Sequence, residues 1–265
     1  MTEVSAQDGM IVAGSRLLID QSVVFAGVGA PLIASVLAQR LHAPSLTIIL
    51  EGGFVGPRMM PGKLPISTNE MRAARHAVMH TGIVDVFLFS QRGFFDYGFI
   101  GAAQVDRYGN VNTSVIGSLA QPKLRLSGGG GANDIVSSCR EIFILTKHER
   151  RRFVDRVDFV TSPGFLEGGD ARRRAGLALG VPSRVITDLA LLGFEPESRQ
   201  MRLEALQPGV SVDQVVSNTG FELVIPDEVP YLAPPTDEEL RTLRMLETGV
   251  DASMPSATEE RVATA

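Results

Sequence analysis

An α/β fold is predicted by this sequence: a mainly parallel sheet flanked by helices, in one domain over residues 10–247, with a disordered tail over 248–265. Three observations predict it. Strand and helix signals alternate through the first hundred or so residues. Helical patterns about ten residues long separate the strands, which is how parallel neighbours are joined. Glycine turns stand directly after apolar runs.

In chain order, Ser22 to Ala26 reads as a strand, Gly27-Val-Gly-Ala-Pro31 as a turn, and Leu32 to Leu41 as an amphipathic helix. Leu46 to Leu50 is an apolar, β-branched run typical of a buried strand. Arg72 to Thr81 carries a helical pattern, and Val84 to Phe89 and Tyr97 to Ala103 read as strands. Arg107 to Asn112 and Ser127 to Gly131 are loops by composition. Short strands are expected at 141–145, 157–160, 184–187 and 200–204; the last alternates polar and apolar residues, so one face meets solvent. Val212 to Asn218 is a short helix, and Pro226 to Pro235 a proline-bearing connection. Thr236-Asp-Glu-Glu239 opens the final helix with a capping box.

Composition narrows the function classes. The chain has 265 residues, 44% hydrophobic and 21% charged, and a net charge of −5, which suits a folded domain and not a nucleic-acid partner. Its longest basic blocks are Arg150 to Arg152 and Arg172 to Arg174. The polar, acidic N-terminus lacks a signal-peptide pattern and no run reaches membrane-spanning length, so a cytoplasmic location without membrane association is expected. A single cysteine, Cys139, and four dispersed histidines give no metal-ligand spacing. His76 and His80 are spaced i,i+4 but without an accompanying Glu, and a solvated pair is the commoner case.

Glu51 is the most informative residue. It stands at the C-terminal tip of the 46–50 strand, before Gly52 and Gly53. Ligand crevices of open α/β sheets lie outside the carboxyl ends of the strands. Taken by itself, a solvated strand-end acid is the more common explanation. Gly27-Val-Gly-Ala-Pro31 lets a ligand approach backbone N–H groups, but Leu32 replaces the third glycine of a dinucleotide fingerprint. Gly128 to Gly131 can form an anion nest or oxyanion hole, or serve as a flexible linker. Asn110 and Asn112 can donate to a developing oxyanion, or brace their own turn.

Five segments occur in order: Gly27-Val-Gly-Ala-Pro31, Ile49-Leu-Glu-Gly-Gly53, Gly101-Ala-Ala-Gln-Val-Asp-Arg-Tyr-Gly-Asn-Val-Asn112, Ser127-Gly-Gly-Gly-Gly-Ala132 and Phe159-Val-Thr-Ser-Pro-Gly164. Together they resemble the β subunits of class I CoA-transferases, of the glutaconate and 3-oxoadipate type, from about residue 10 to about residue 246. The resemblance implies the CoA-transferase fold, a homologous α subunit in a hetero-oligomer of α2β2 type, and coenzyme A as a substrate with no permanently bound cofactor. It maps the active-site glutamate onto Glu51, with Gly52 where the family has Ser or Asn. It places oxyanion-stabilising groups on Asn110, Asn112 and the Gly130 N–H, and contacts to coenzyme A on Gly27, Gly29, Gly128, Gly129 and Gly131. Which asparagine and which glycine N–H face inward stays open at this level.

The implied chemistry is attack of the glutamate on an acyl-CoA, then a glutamyl-CoA thioester, then transfer of CoA to a second acid. Three rivals remain: a hydrolase on the same fold, a decarboxylase or ring-opening enzyme on it, and a non-catalytic structural subunit. Arg58 and Lys63 are candidates for gripping a second substrate carboxylate, with solvated surface cations the commoner role.

Overall fold

A computed structural model describes residues 4–250. The chain runs α1 (Ala6–Arg16), β1 (Val23–Phe25), α2 (Ala30–Leu41), β2 (Thr47–Leu50), β3 (Phe54–Val55), a 3-10 turn (Met71–Ala74), β4 (Met79–His80) and α3 (Ile83–Gln91). β5 (Tyr97–Gly101), β6 (Gln104–Val105), β7 (Val111–Asn112), β8 (Val115–Gly117), β9 (Pro122–Arg125), α4 (Ala132–Ser138) and β10 (Glu141–Leu145) follow. The last elements are α5 (Ala171–Arg174), β11 (Val181–Ile186), β12 (Ala190–Phe194), β13 (Met201–Leu206), α6 (Val212–Ser217) and α7 (Asp237–Thr248). Among the described residues no helix is long and apolar enough to cross a membrane.

Nine strands form one sheet in the order β13-β12-β11-β10-β5-β1-β2-β3-β4. The centre, β11-β10-β5-β1-β2, is parallel throughout, and both flanks are antiparallel. The chain steps outward from β1 to β2, then returns to the other side of β1 with β5. That reversal is a topological switch point, where the loops leaving neighbouring strands part and open a crevice. Strand alternation splits the core between the two faces. Ile48 and Leu50 pack with α1, α2 and α7, while Phe25 and Ile49 pack with Val86 of α3 and Ile135 of α4. Residue 51 continues the alternation onto the α3/α4 face.

α7 is tied across α1 at both ends. Arg16 grips Glu239 (2.8 and 2.6 Å), and Arg244 grips the buried Asp8 (2.8 and 2.5 Å). α1 was not expected from the sequence; Ser5 and Asp8 cap its first turn, but Gly9 and Gly14 interrupt the helical signal. β12 and the β8–β9 hairpin were also not anticipated.

Four local expectations need correction. Val84 to Phe89 lies in helix α3, not a strand: with apolar residues at five of its six positions the segment has no readable period, and the helix starts where the Asp85 carboxylate accepts from the Gly82 N–H. Residues 72–81 are not one helix. A 3-10 turn ends at Ala74, His76 adopts φ +53°, and Met79–His80 pair with β3. No strand forms at 157–160, where the Asp158 N–H donates to the Gln104 side chain instead of a ladder partner. Thr248 ends α7 and Gly249 closes it in the left-handed conformation, so 248–249 are not tail; residues 251–265 lie outside the described residues.

His148 joins the sheet end to α6. Its Nε2–H donates to the Thr219 hydroxyl (3.0 Å), which itself donates to Val215 O (2.8 Å). Its Nδ1 lies 3.1 Å from the Thr187 hydroxyl, which donates to Ala190 O (2.9 Å), and its ring stacks on Phe153 at 4.0 Å. Burial holds the pKa down to about 4, against an ordinary 6.5, with Asp188 opposing. The unfolded chain therefore binds a proton between these values that the folded chain refuses. Stability is fully present above pH 6.5 and falls as the pH drops toward 4, by up to about 3 kcal/mol. Urea unfolding at a series of pH values should show this loss, and His148→Gln should flatten it.

Candidate active site

The β2–β3 turn fixes Glu51. Gly53 has φ +98°, and a Cβ there would overlap the Thr81 carbonyl. A Cβ on Gly52 would overlap the Thr68 carbonyl and lie 2.5 Å from Asn69 Oδ1. Both glycines are therefore demanded by chain segments packed against the turn, which explains why a side chain is missing at position 52. Glu51 is partly exposed, and among the described residues no donor reaches its carboxylate.

Gly131 brings the second half of the site to Glu51. An ideal Cβ on Gly131 would lie 3.0 Å from Glu51 Oε1 and would overlap the Phe87 ring. The Glu51 carboxylate thus lies against the backbone of the glycine loop. Phe87 comes from α3 and stacks on Phe25 of β1, with ring centroids 6.1 Å apart. α3 is braced on α4 by the Ser90 and Ser138 hydroxyls, 2.8 Å apart.

The glycine loop is pinned from below. The Gly128 N–H donates to Thr113 O (2.8 Å), and the Ala132 N–H to Gly129 O (2.9 Å). Thr161 packs its Cγ2 2.8 Å from where a Gly129 Cβ would stand. The Thr161 hydroxyl accepts from the Thr113 N–H (2.9 Å) and lies 2.7 Å from Ser114 Oγ. The N–H groups of Gly129, Gly130 and Gly131 have no acceptor among the described residues. Added Cβ atoms on Gly27, Gly29, Gly128 and Gly130 would meet nothing within 4 Å. Open space therefore borders the loops above β1 and before α4.

Asn110 and Asn112 are differently placed. Asn110 Nδ2 donates to the Asp106 carboxylate and to Leu166 O (2.8 Å), while its Oδ1 accepts from the Gly164 and Leu166 N–H groups. Asn112 Nδ2 donates to Gln104 Oε1 and Val115 O, both at 2.7 Å, and its Oδ1 accepts from the Ser114 and Val115 N–H groups. Both side chains are buried with their donors engaged, so they brace the loop and reach a ligand only if those bonds break. Asp106, whose pKa is raised by burial against its hydrogen bonds from Asn110, belongs to this brace. The 720 Å³ cleft beside it, lined by Arg107, Asp155, Arg156 and Glu167 among others, does not include Glu51.

Arg58 and Lys63 are both exposed, and Arg58 donates to Pro44 O (2.9 Å). Cys139 is buried and its thiol is pushed up to about 12, which makes it a packing group. Sequence reasoning missed Phe87, Thr113 and Thr161. Thr161 lay within the recognisable Phe159 to Gly164 segment, so a signal for it was present; Phe87 was hidden by the misread strand.

Residues 8–218 match the coenzyme A transferase family, to which the chain belongs, and this match makes it a CoA-transferase-type enzyme. It is 40% identical over 248 residues to the β subunit of 3-oxoadipate CoA-transferase from Pseudomonas knackmussii, covering 93% of this chain and 95% of that one. It is 38% identical over 220 residues to the β subunit of glutaconate CoA-transferase from Acidaminococcus fermentans, covering 80% and 81%. The crystal structure of glutaconate coenzyme A-transferase from that organism superposes with a TM-score of 0.87 at 32% identity, over 96% of this chain and 99% of that one.

Proposed function

We propose that this chain is the β-type subunit of a CoA-transferase and that Glu51 carries CoA between two acids. The observation that carries the reading is the Glu51 carboxylate, free of donors among the described residues, against a loop whose N–H groups are also free. A carboxylate with undivided lone pairs is a competent nucleophile, and unpaired N–H groups suit an oxygen on which charge develops.

In the first step a Glu51 oxygen attacks the thioester carbonyl carbon. The C–S bond breaks, and CoA leaves as a thiolate with a mixed anhydride in its place. The thiolate then attacks the glutamyl carbonyl, expels the first acid as its carboxylate and leaves CoA on Glu51 as a thioester. The acceptor carboxylate runs the same two steps in reverse and departs as its CoA ester. Each tetrahedral oxyanion is taken by N–H groups of Gly129 to Gly131, each donor contributing about 3 kcal/mol to barrier lowering. Gly27 and Gly29 give the thioester arm room to pass over β1.

The anhydride and thioester must be kept from water. α3 turns Phe87 toward the site and leaves Ile83, Val84 and Leu88 exposed, with Phe94 just beyond. An apolar surface beside a half-covered carboxylate supports closure by a partner, the α subunit of an α2β2 assembly.

The test follows free thiol while the acceptor acid is varied. A transferase gives parallel double-reciprocal lines and little thiol without acceptor. Thiol release at one rate whatever acid is present would establish a hydrolase instead.

A further inference from the structure

The basic block at 172–174 divides. Arg173 and Arg174 pair with Asp170 at the surface. Arg172 turns inward and is 4% exposed. Its Nη1 donates to Pro163 O and Gly164 O, both at 2.8 Å, and its Nη2 to Val136 O and Leu179 O, both at 2.6 Å. Among the described residues no carboxylate pairs with it, and its Nε has no acceptor. Burial brings the guanidinium down to about 10, so it stays a cation at neutral pH. A buried cation held only by carbonyls is expensive, and cheaper ways of filling the space exist.

Those carbonyls belong to segments that meet at the glycine loop. Pro163 and Gly164 follow Thr161, which lies under Gly129. Val136 sits in α4, which grows directly out of Gly131. Gly180, next to Leu179, packs so closely on the Val136 carbonyl that a Cβ would overlap it. One planar fork therefore ties the floor of the loop to the helix that leaves it, and a lysine ammonium cannot span both sides.

We propose that Arg172 is a positioning residue that sets the N–H groups of Gly129 to Gly131 against Glu51. It touches no reacting atom. The proposal rests on the reading that these N–H groups face the reacting carbonyl.

The test uses the enzyme assembled with its partner, carrying Arg172→Lys or Arg172→Ala. Three quantities are read: kcat per folded molecule, KM for acyl-CoA, and hydrogen exchange at the Gly128, Ala132 and Ile135 amides, which close bonds to Thr113, Gly129 and Gly131. The expected result is a kcat lower by about 10- to 100-fold with KM little changed, since misplacement of about 1 Å has that effect. Exchange at the three amides should quicken relative to β13, and millimolar guanidinium, but not sodium, should restore part of the kcat of Arg172→Ala. If the Ala variant does not fold, Arg172→Lys carries the test. Unchanged exchange overturns the clamp. Faster exchange with unchanged kcat overturns the positioning role, while covalent labelling of Glu51 in the unsubstituted enzyme judges the nucleophile separately.

Discussion

Glu51→Gln is expected to lower kcat by at least about a thousandfold while leaving the fold intact, since loss of a covalent nucleophile reduces turnover by up to about 10⁶. The amide keeps the shape and the partly exposed position of Glu51 but cannot attack a thioester. Glu51→Asp is the finer probe. Shortening by one methylene draws the oxygen back by about 1 Å, enough for a loss of ~100-fold. The direct measurement incubates the assembled enzyme with acyl-CoA and no acceptor, then reduces the adduct with borohydride. The peptide holding Glu51 should change mass; an unmodified peptide, or normal transfer by Glu51→Gln, would falsify the assignment.

The second large effect is expected at Gly131. A methyl group there lies 3.0 Å from Glu51 Oε1 and overlaps the Phe87 ring. The ring cannot simply back away, because Phe25 stacks behind it. Gly131→Ala should therefore displace both the carboxylate and the loop, with kcat down by about 100-fold and CoA binding less affected. Adding Phe87→Leu relieves the ring overlap but not the contact with Glu51. The double variant should regain stability in thermal unfolding without regaining most of the activity. Full recovery of kcat would show that the ring, not the carboxylate, is what Gly131 accommodates.

The parallel centre of the sheet was legible because its strands are apolar runs punctuated by glycine. The strand-tip position of Glu51 was legible because the apolar run of β2 stops at Leu50 and two glycines follow the acid. α3 was illegible for a physical reason: Ile83, Val84 and Leu88 stay exposed, so apolar residues stand on its outer face as well as its inner one and blur the helical period. Asn110 and Asn112 show the complementary limit. Their residue type suits a donor, but whether an amide is free depends on partners distant in sequence, such as Leu166 and Gln104. The same holds for Arg172, whose acceptors at Val136 and Gly164 no local pattern announces.

The order in which the central strands are laid down governs how the chain reaches its working form. Glu51, the glycine loop and Thr161 meet in space, yet β5, the β6–β9 excursion and α4 separate them along the chain. Joining them means closing long loops before any contact repays the lost entropy, and parallel pairings of this kind slow folding. During synthesis β1 and β2 can pair early, but Glu51 meets the glycine loop only after β5 docks on the other side of β1. Half-made chains therefore present the Glu51 carboxylate without its loop, and the two come together only with the finished fold.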